Sequence, residues 1–205
     1  MFGLSNTSRA RSATLGIGAL AVACGSSEQP DPDGVEACEY PKAPYGIALG
    51  EALAPNYAWE GFAAYAGDPS VVRITDFFDC DGTRQIHACL FVTIAHSCDE
   101  CRPYLMDLDE RMGGWEGQGV RIVVLVGNGA DGAATVSDAA LWKSEFDLEA
   151  LFIVADPNFS FMSPSDGIPV EVVVDPRAMR VVARDVGIRD EHPALEALIR
   201  DNGDG

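Results

Sequence analysis

Two cysteines separated by two residues, Cys98 and Cys101, are the side chains in this chain best suited to chemistry. They lie in His96-Ser97-Cys98-Asp99-Glu100-Cys101-Arg102-Pro103. An apolar run, Cys89 to Ala95, precedes them, and Leu105, Leu108 and Met112 follow at helical spacing. The pattern predicts a strand, a sharp turn and a helix start. There, unpaired N–H groups and the positive end of the helix dipole stabilise a thiolate at the first cysteine. The second thiol, one turn on, can close a disulfide or resolve a mixed one. Such a pair needs no bound cofactor, because the Cys98–Cys101 disulfide is itself the redox group.

The neighbours modify this chemistry. The Asp99 and Glu100 carboxylates repel a thiolate on Cys98 and oppose the helix dipole. Cysteines at such sites span pKa values of about 3.5 to 7.5, and this one is expected toward the upper end. A less stabilised thiolate favours a reductant over a strong oxidant. His96 is a candidate modulator that tunes Cys98 or relays a proton, or else a solvent-facing loop residue. Two other readings stay open. His96, Cys98 and Cys101, with His87 as a fourth ligand, would suit copper(I) or zinc, although no second cysteine pair accompanies them. Alternatively, Cys98–Cys101 is a permanent staple in a catalytically inactive binding module.

The positioning elements come next. Val71 to Ile74 reads as a strand and Thr75 to Phe78 as a short helical turn. Ile86 to Ala95 is the central strand, and a helix from about Asp99 to Met112 follows, bent by Pro103 and ended by Gly113 and Gly114. Val120 to Val126 is uninterruptedly apolar, as in a strand covered on both faces. A glycine-rich connection, Gly127 to Gly132, lacks the lysine of a phosphate-binding loop. Ser137 caps a helix to Phe146, and Leu151 to Val154 is a short strand. Val170 to Asp175 and Arg180 to Ala183 form a hairpin, and Pro193 opens a last helix. Strands alternating with helices predict an α/β fold with right-handed crossovers, closed by antiparallel strands.

The chain has 205 residues and a formal net charge of −18, which excludes nucleic acid as an electrostatic partner. Arg9 and Arg11 precede an apolar stretch, Ala13 to Ala23, too short to span a bilayer. Small residues end it, and Cys24 follows directly. This predicts a secretory leader over residues 1–23, with an ordinary signal and an incidental cysteine as the alternative. Residues 24–66 read as a tether and N-terminal extension, polar from Gly25 to Gly34. Within it, Tyr45, Ile47 and Leu49 alternate as in a short strand, and Trp59, Phe62 and Tyr65 are packing aromatics. Residues 67–205 form the main domain. An exported chain meets oxidising conditions. Of six cysteines, Cys89 lies within the apolar strand, while Cys38 and Cys80 lie in loops and are candidates for a structural bridge whose pairing the sequence leaves open.

With order and motif together, the chain resembles the thioredoxin fold: a central mixed β-sheet flanked by helices, here with an N-terminal extension. More narrowly it is similar to secreted, membrane-anchored proteins of the TlpA/ResA and redoxin type, from about Val71 onward. Cys98-Asp99-Glu100-Cys101 carries the resemblance, together with Ile168-Pro169, which matches the family's cis-proline position. The resemblance implies a thiol-disulfide oxidoreductase of the bacterial cell envelope. Cys98 would be the nucleophile and Cys101 the resolving thiol, while Ile168, Pro169 and Ser97 dock the substrate. Cys24 resembles a lipobox cysteine, which would tether the chain to the membrane on the periplasmic side. The implied partners are protein thiols and disulfides and an electron-donor protein, and the default state is a monomer. Departures are Ser97 where the family carries Trp, and Asp99-Glu100 between the cysteines. A copper chaperone of the Sco type uses a wider cysteine spacing. A peroxidase would need a Pro-X-X-X-Thr-X-X-Cys pattern, which is missing.

Overall fold

A computed structural model describes residues 38–188 and 191–203. The leader of residues 1–23, Cys24 and the first part of the tether lie outside the described residues. Among those described, no helix is long and apolar enough to cross a membrane.

Among the described residues, nine strands and three α-helices follow one another as β1 (Ala58–Phe62), β2 (Ser70–Arg73), β3 (Ala88–Ile94), α1 (Cys101–Trp115), β4 (Val120–Val126), β5 (Asn128–Gly129), β6 (Gly132–Ala133), α2 (Val136–Glu145), β7 (Phe152–Ala155), β8 (Val170–Asp175), β9 (Arg180–Val186) and α3 (Pro193–Gly203). Seven strands make one sheet in the order β2-β1-β7-β4-β3-β8-β9, and β5 with β6 forms a separate small ribbon. β3, β4 and β7 run parallel, while β1, β8 and β9 pair antiparallel to their neighbours. β3 therefore sits inside the sheet, and all seven of its residues are buried.

Strand periodicity divides these residues between two cores. Leu90, Val92 and Ile94 point to the face covered by all three helices, where Leu105 and Leu108 of α1, Trp142 of α2 and Leu195 of α3 meet them. Cys89 and Phe91 point to the other face, which irregular chain covers instead. Aromatic rings fill that side: Phe91 makes edge contacts with Phe77 and Phe161 at 5.7 and 5.0 Å. Such contacts add to the area term of burial.

Several local expectations are corrected. The helix after the cysteines does not stop at Gly113 and Gly114. It continues to Trp115 and a 3₁₀ turn, and ends at Gly119, which adopts φ +75°. Packing of Trp115 outweighs the cost of two helical glycines, about 1 kcal/mol each. Gly119 is the true stop, because a Cβ there would collide with the Gln85 carbonyl and the His87 ring. Pro103 occupies the third helical position, where an N–H has no intrahelical acceptor, so no ladder bond is lost and the helix runs on through it. Thr135, not Ser137, caps α2; its N–H and hydroxyl both donate to the Asp138 carboxylate, at 2.8 and 2.7 Å.

The N-terminal extension is partly built into the sheet, since β1 lies between β2 and β7. The alternating strand expected at Tyr45 to Leu49 reduces to an isolated bridge, Tyr45 to Ala52, and Ala52 in turn joins Arg180 of β9. Of the expected packing aromatics, Trp59 and Phe62 are buried, while Tyr65 is exposed and donates its hydroxyl hydrogen bond to Glu116 at 2.9 Å. Cys38 and Cys80 are disulfide-bonded, with Cα atoms 5.8 Å apart. The adjacent Asp79 carboxylate is buried and accepts from the Arg84 and Ile86 N–H groups at 3.1 and 2.9 Å.

Candidate active site

β3 delivers the cysteines. Past Ile94 the chain turns at His96-Ser97, and the Cys98 N–H donates back to the Ala95 carbonyl at 3.0 Å. α1 begins at Cys101, so Cys98 lies just outside the helix, where the first N–H groups lack internal acceptors. One of them finds its partner in sulfur: the Cys101 N–H donates to Cys98 Sγ at 3.1 Å. This donor favours negative charge on Cys98 and works against the exposed Asp99 and Glu100 carboxylates. Asp99 is loosely paired with Arg102 at 3.7 Å. Cys98 and Cys101 are disulfide-bonded, with Cα atoms 5.3 Å apart. The sulfurs are unequal in access. Cys101 is fully buried in the helical core, whereas Cys98 is half-buried.

Strand register brings in the residues far along the chain. Thr93 of β3 pairs with Val170 of β8, so Pro169 arrives at the end of β3 beside the turn carrying Cys98. The Ile168–Pro169 bond is cis, and the Pro169 carbonyl accepts from the Gly187 N–H at 2.8 Å. Ile168 and Cys98, with Ala95, Ser97, Asp99 and Glu100, line an open hollow of about 390 Å³. Ser97, Cys98 and Ile168 thus share one surface, with Pro169 buried behind it.

His96 takes a different direction. Its N–H donates to Asn128 Oδ1 at 2.8 Å, and its side chain lines a small hollow with Arg102, Trp142 and Phe146 against α2. It adds a minor attraction that lowers the Asp138 carboxyl pKa, a shift due mainly to the Thr135 hydroxyl. His87 stands at the opposite end of β3, its Nδ1 2.9 Å from the Gln118 carbonyl. A seven-residue strand is roughly 23 Å long, so His87 cannot join His96 and the cysteines around one ion. Among the described residues, no group of three or more His, Cys, Asp and Glu side chains is placed to hold a metal.

A buried polar network beneath the disulfide escaped the sequence reading. Tyr104, one turn below Cys101, donates to the Glu171 carboxylate. Glu171 lies opposite Val92 of β3 on the helical face of the sheet and is 2% exposed. His192 Nδ1 lies 3.3 Å from its other oxygen. His192 Nε2 is buried without a hydrogen-bond partner, and its ring meets Trp115 edge-on at 5.7 Å. Burial first, and the Glu171 charge second, push the Tyr104 hydroxyl far above its ordinary pKa. The one available signal was the single acid inside Val170-Glu171-Val172-Val173-Val174. A larger hollow, about 800 Å³, lies elsewhere, between Tyr57, Glu60, Thr135 and Asn158. Among the described residues, no buried unpartnered polar atom belongs to its walls.

The sheet order, the crossover helix starting at Cys101 and the hairpin after Pro169 define a thioredoxin-like fold. No family model matches the sequence, and no curated protein matches it. Solved structures do match. A candidate thiol:disulfide interchange protein DsbE from Chlorobium tepidum is 19% identical over 77% of this chain and 99% of its own, with a TM-score of 0.54. The pneumococcal exposed lipoprotein thioredoxin Etrx1 from Streptococcus pneumoniae is 18% identical over 70% and 99%, with a TM-score of 0.51. The mitochondrial 2-Cys peroxiredoxin from Plasmodium falciparum is 11% identical over 77% and 93%, with a TM-score of 0.52. At these identities the likeness establishes the fold.

Proposed function

We propose that this chain is an extracytoplasmic thiol-disulfide oxidoreductase acting on protein disulfides through Cys98 and Cys101. The observation that carries the proposal is the asymmetry of the bonded pair: Cys98 opens onto a hollow facing Ile168, and Cys101 is buried behind it. An attacking sulfur must be reachable, and a resolving sulfur must be shielded from other partners. In the reducing direction, the Cys98 thiolate attacks one sulfur of a substrate disulfide, and the other leaves as a thiolate that takes up a proton. Cys101 loses its proton and attacks Cys98 Sγ. The second substrate thiol departs, and the Cys98–Cys101 disulfide forms. Two electrons pass to the substrate, and a dithiol donor protein restores the pair. Ser97 and Ile168 form the docking surface, Pro169 holds Ile168 in place from behind it, and His96 stands behind the turn as a modulator.

The location rests on the sequence features at Ala13 to Cys24 and on the exposed lipoprotein thioredoxin among the similar structures. In this reading Cys24 carries the lipid, Gly25 to Gly34 is the tether, and the chain works as a monomer on the outer side of a membrane. Insulin reduction by the chain from residue 25, beside its Cys98→Ser variant, tests the activity. Turnover that disappears with Cys98→Ser supports the reading; no turnover by the unaltered protein refutes it. Cys101→Ser should accumulate a mixed disulfide on Cys98 alone.

A further inference from the structure

We propose that the groove across Ile168 takes an extended, disulfide-bearing polypeptide whose cysteine is flanked by a bulky apolar residue on one side and a basic residue on the other. This rests on the thiol-disulfide reading and adds the substrate class.

Ile168 is a shared wall. On one side lies the hollow over Cys98, and on the other a second hollow of about 400 Å³ walled by Phe159, Met162 and Pro164. The two hollows adjoin at Ile168, with the reactive sulfur in one and an apolar seat in the other. The seat is pre-formed. The Met162 N–H donates to the Phe159 carbonyl at 2.9 Å, and the Phe159 N–H to the Asp156 carbonyl at 3.0 Å. Phe159 adopts φ +49°, an uncommon backbone region for a bulky residue. Its ring lies so close to Gly127 that no Cβ fits there. Packed on Gly127 with the rest of the ring half-exposed, Phe159 offers a fixed apolar surface to the hollow.

Charge separates the two ends. Asp166, at the rim of the apolar seat, is neutralised by Arg184, which also reaches the Phe161 carbonyl at 3.3 Å. At the sulfur end the Asp99 and Glu100 carboxylates are exposed, in a chain of net charge −18. The complementary ligand is apolar over Phe159 and Met162 and cationic over Glu100.

The test uses the reduced full-length protein and synthetic peptide disulfides, with oxidised glutathione as a reference that carries no anchor. An apolar-anchor peptide should react about tenfold faster than its serine counterpart, the effect of burying one side chain in part. In Met162→Glu that ratio should fall to near one. In Leu49→Glu, an apolar-to-acid change at an exposed site by the far end of the hairpin, it should persist. Exchanging the peptide's lysine for glutamate should slow the reaction, less so at 0.5 M salt. Equal rates for anchored and serine peptides, with glutathione disulfide still reduced, would overturn the groove assignment alone. Failure to reduce any disulfide would overturn the redox reading beneath it. Self-association that disappears in Met162→Glu would instead make the seat a contact between copies and also overturn the assignment.

Discussion

Tyr104→Phe removes one oxygen and leaves the packing shape almost unchanged, so its cost isolates one hydrogen bond. Tyr104, Glu171 and His192 are each at most 4% exposed, so water cannot replace a lost donor. Bonds from a neutral donor to a charged acceptor contribute about 1.5–3 kcal/mol. His192 still faces the other carboxylate oxygen, so a loss of about 2 kcal/mol is expected. For a folded unit spanning Ala37–Gly205, that is roughly 4–8 °C in Tm. The denaturant midpoint should fall with an unchanged m-value. Glu171→Leu should cost at least as much, because it strands both the Tyr104 hydroxyl and His192. Adding Tyr104→Phe to Glu171→Leu should then be nearly neutral, giving a coupling of about 1–2 kcal/mol.

The network also has a pH signature. The native state holds the Tyr104 hydroxyl protonated beyond the ordinary tyrosine range. Above about pH 10 the unfolded chain sheds protons that the native state keeps. Stability should therefore fall with rising pH, and Tyr104→Phe should flatten that slope. A midpoint change equivalent to less than about 0.5 kcal/mol, or strictly additive single and double variants, would refute the reasoning.

In the reduced protein, a limiting alkylating agent should modify Cys98 first and spare Cys101. It should reach Cys89 only after denaturation, because burial pushes that thiol far up; mass mapping of the labelled cysteines checks the order. The Cys38–Cys80 bridge spans 42 residues, so its removal by paired serines should lower stability by about 4 kcal/mol in denaturant titration while insulin reduction at Cys98 persists. Asp99→Asn with Glu100→Gln should move the pH profile of Cys98 alkylation down by up to about one unit at low salt, and less at 0.5 M. Arg184 holds the Asp166 carboxyl below its usual pKa, so Arg184→Met should reduce the loss of stability measured between about pH 4 and pH 2.

The linear chain carried the covalent chemistry and the order of elements. Cys98 and Cys101 at a strand-to-helix junction, the uninterrupted run Val120 to Val126 and the hairpin after Pro169 all follow from local rules: spacing, periodicity and punctuation by proline and glycine. Local rules failed where a distant neighbour decides. Gly113 and Gly114 stay helical because Trp115 packs against the core, and β1 becomes sheet only through pairing with β2 and β7. The tertiary structure alone placed His87 a strand's length from Cys98, turned His96 toward α2, and put Glu171 under Tyr104. It alone set the hollow at Phe159 and Met162 next to the one over Cys98, with Ile168 as their common wall. The reason is register: whether side chains some 70 residues apart meet depends on which strand residues pair, and that is fixed by burying both faces of β3 together.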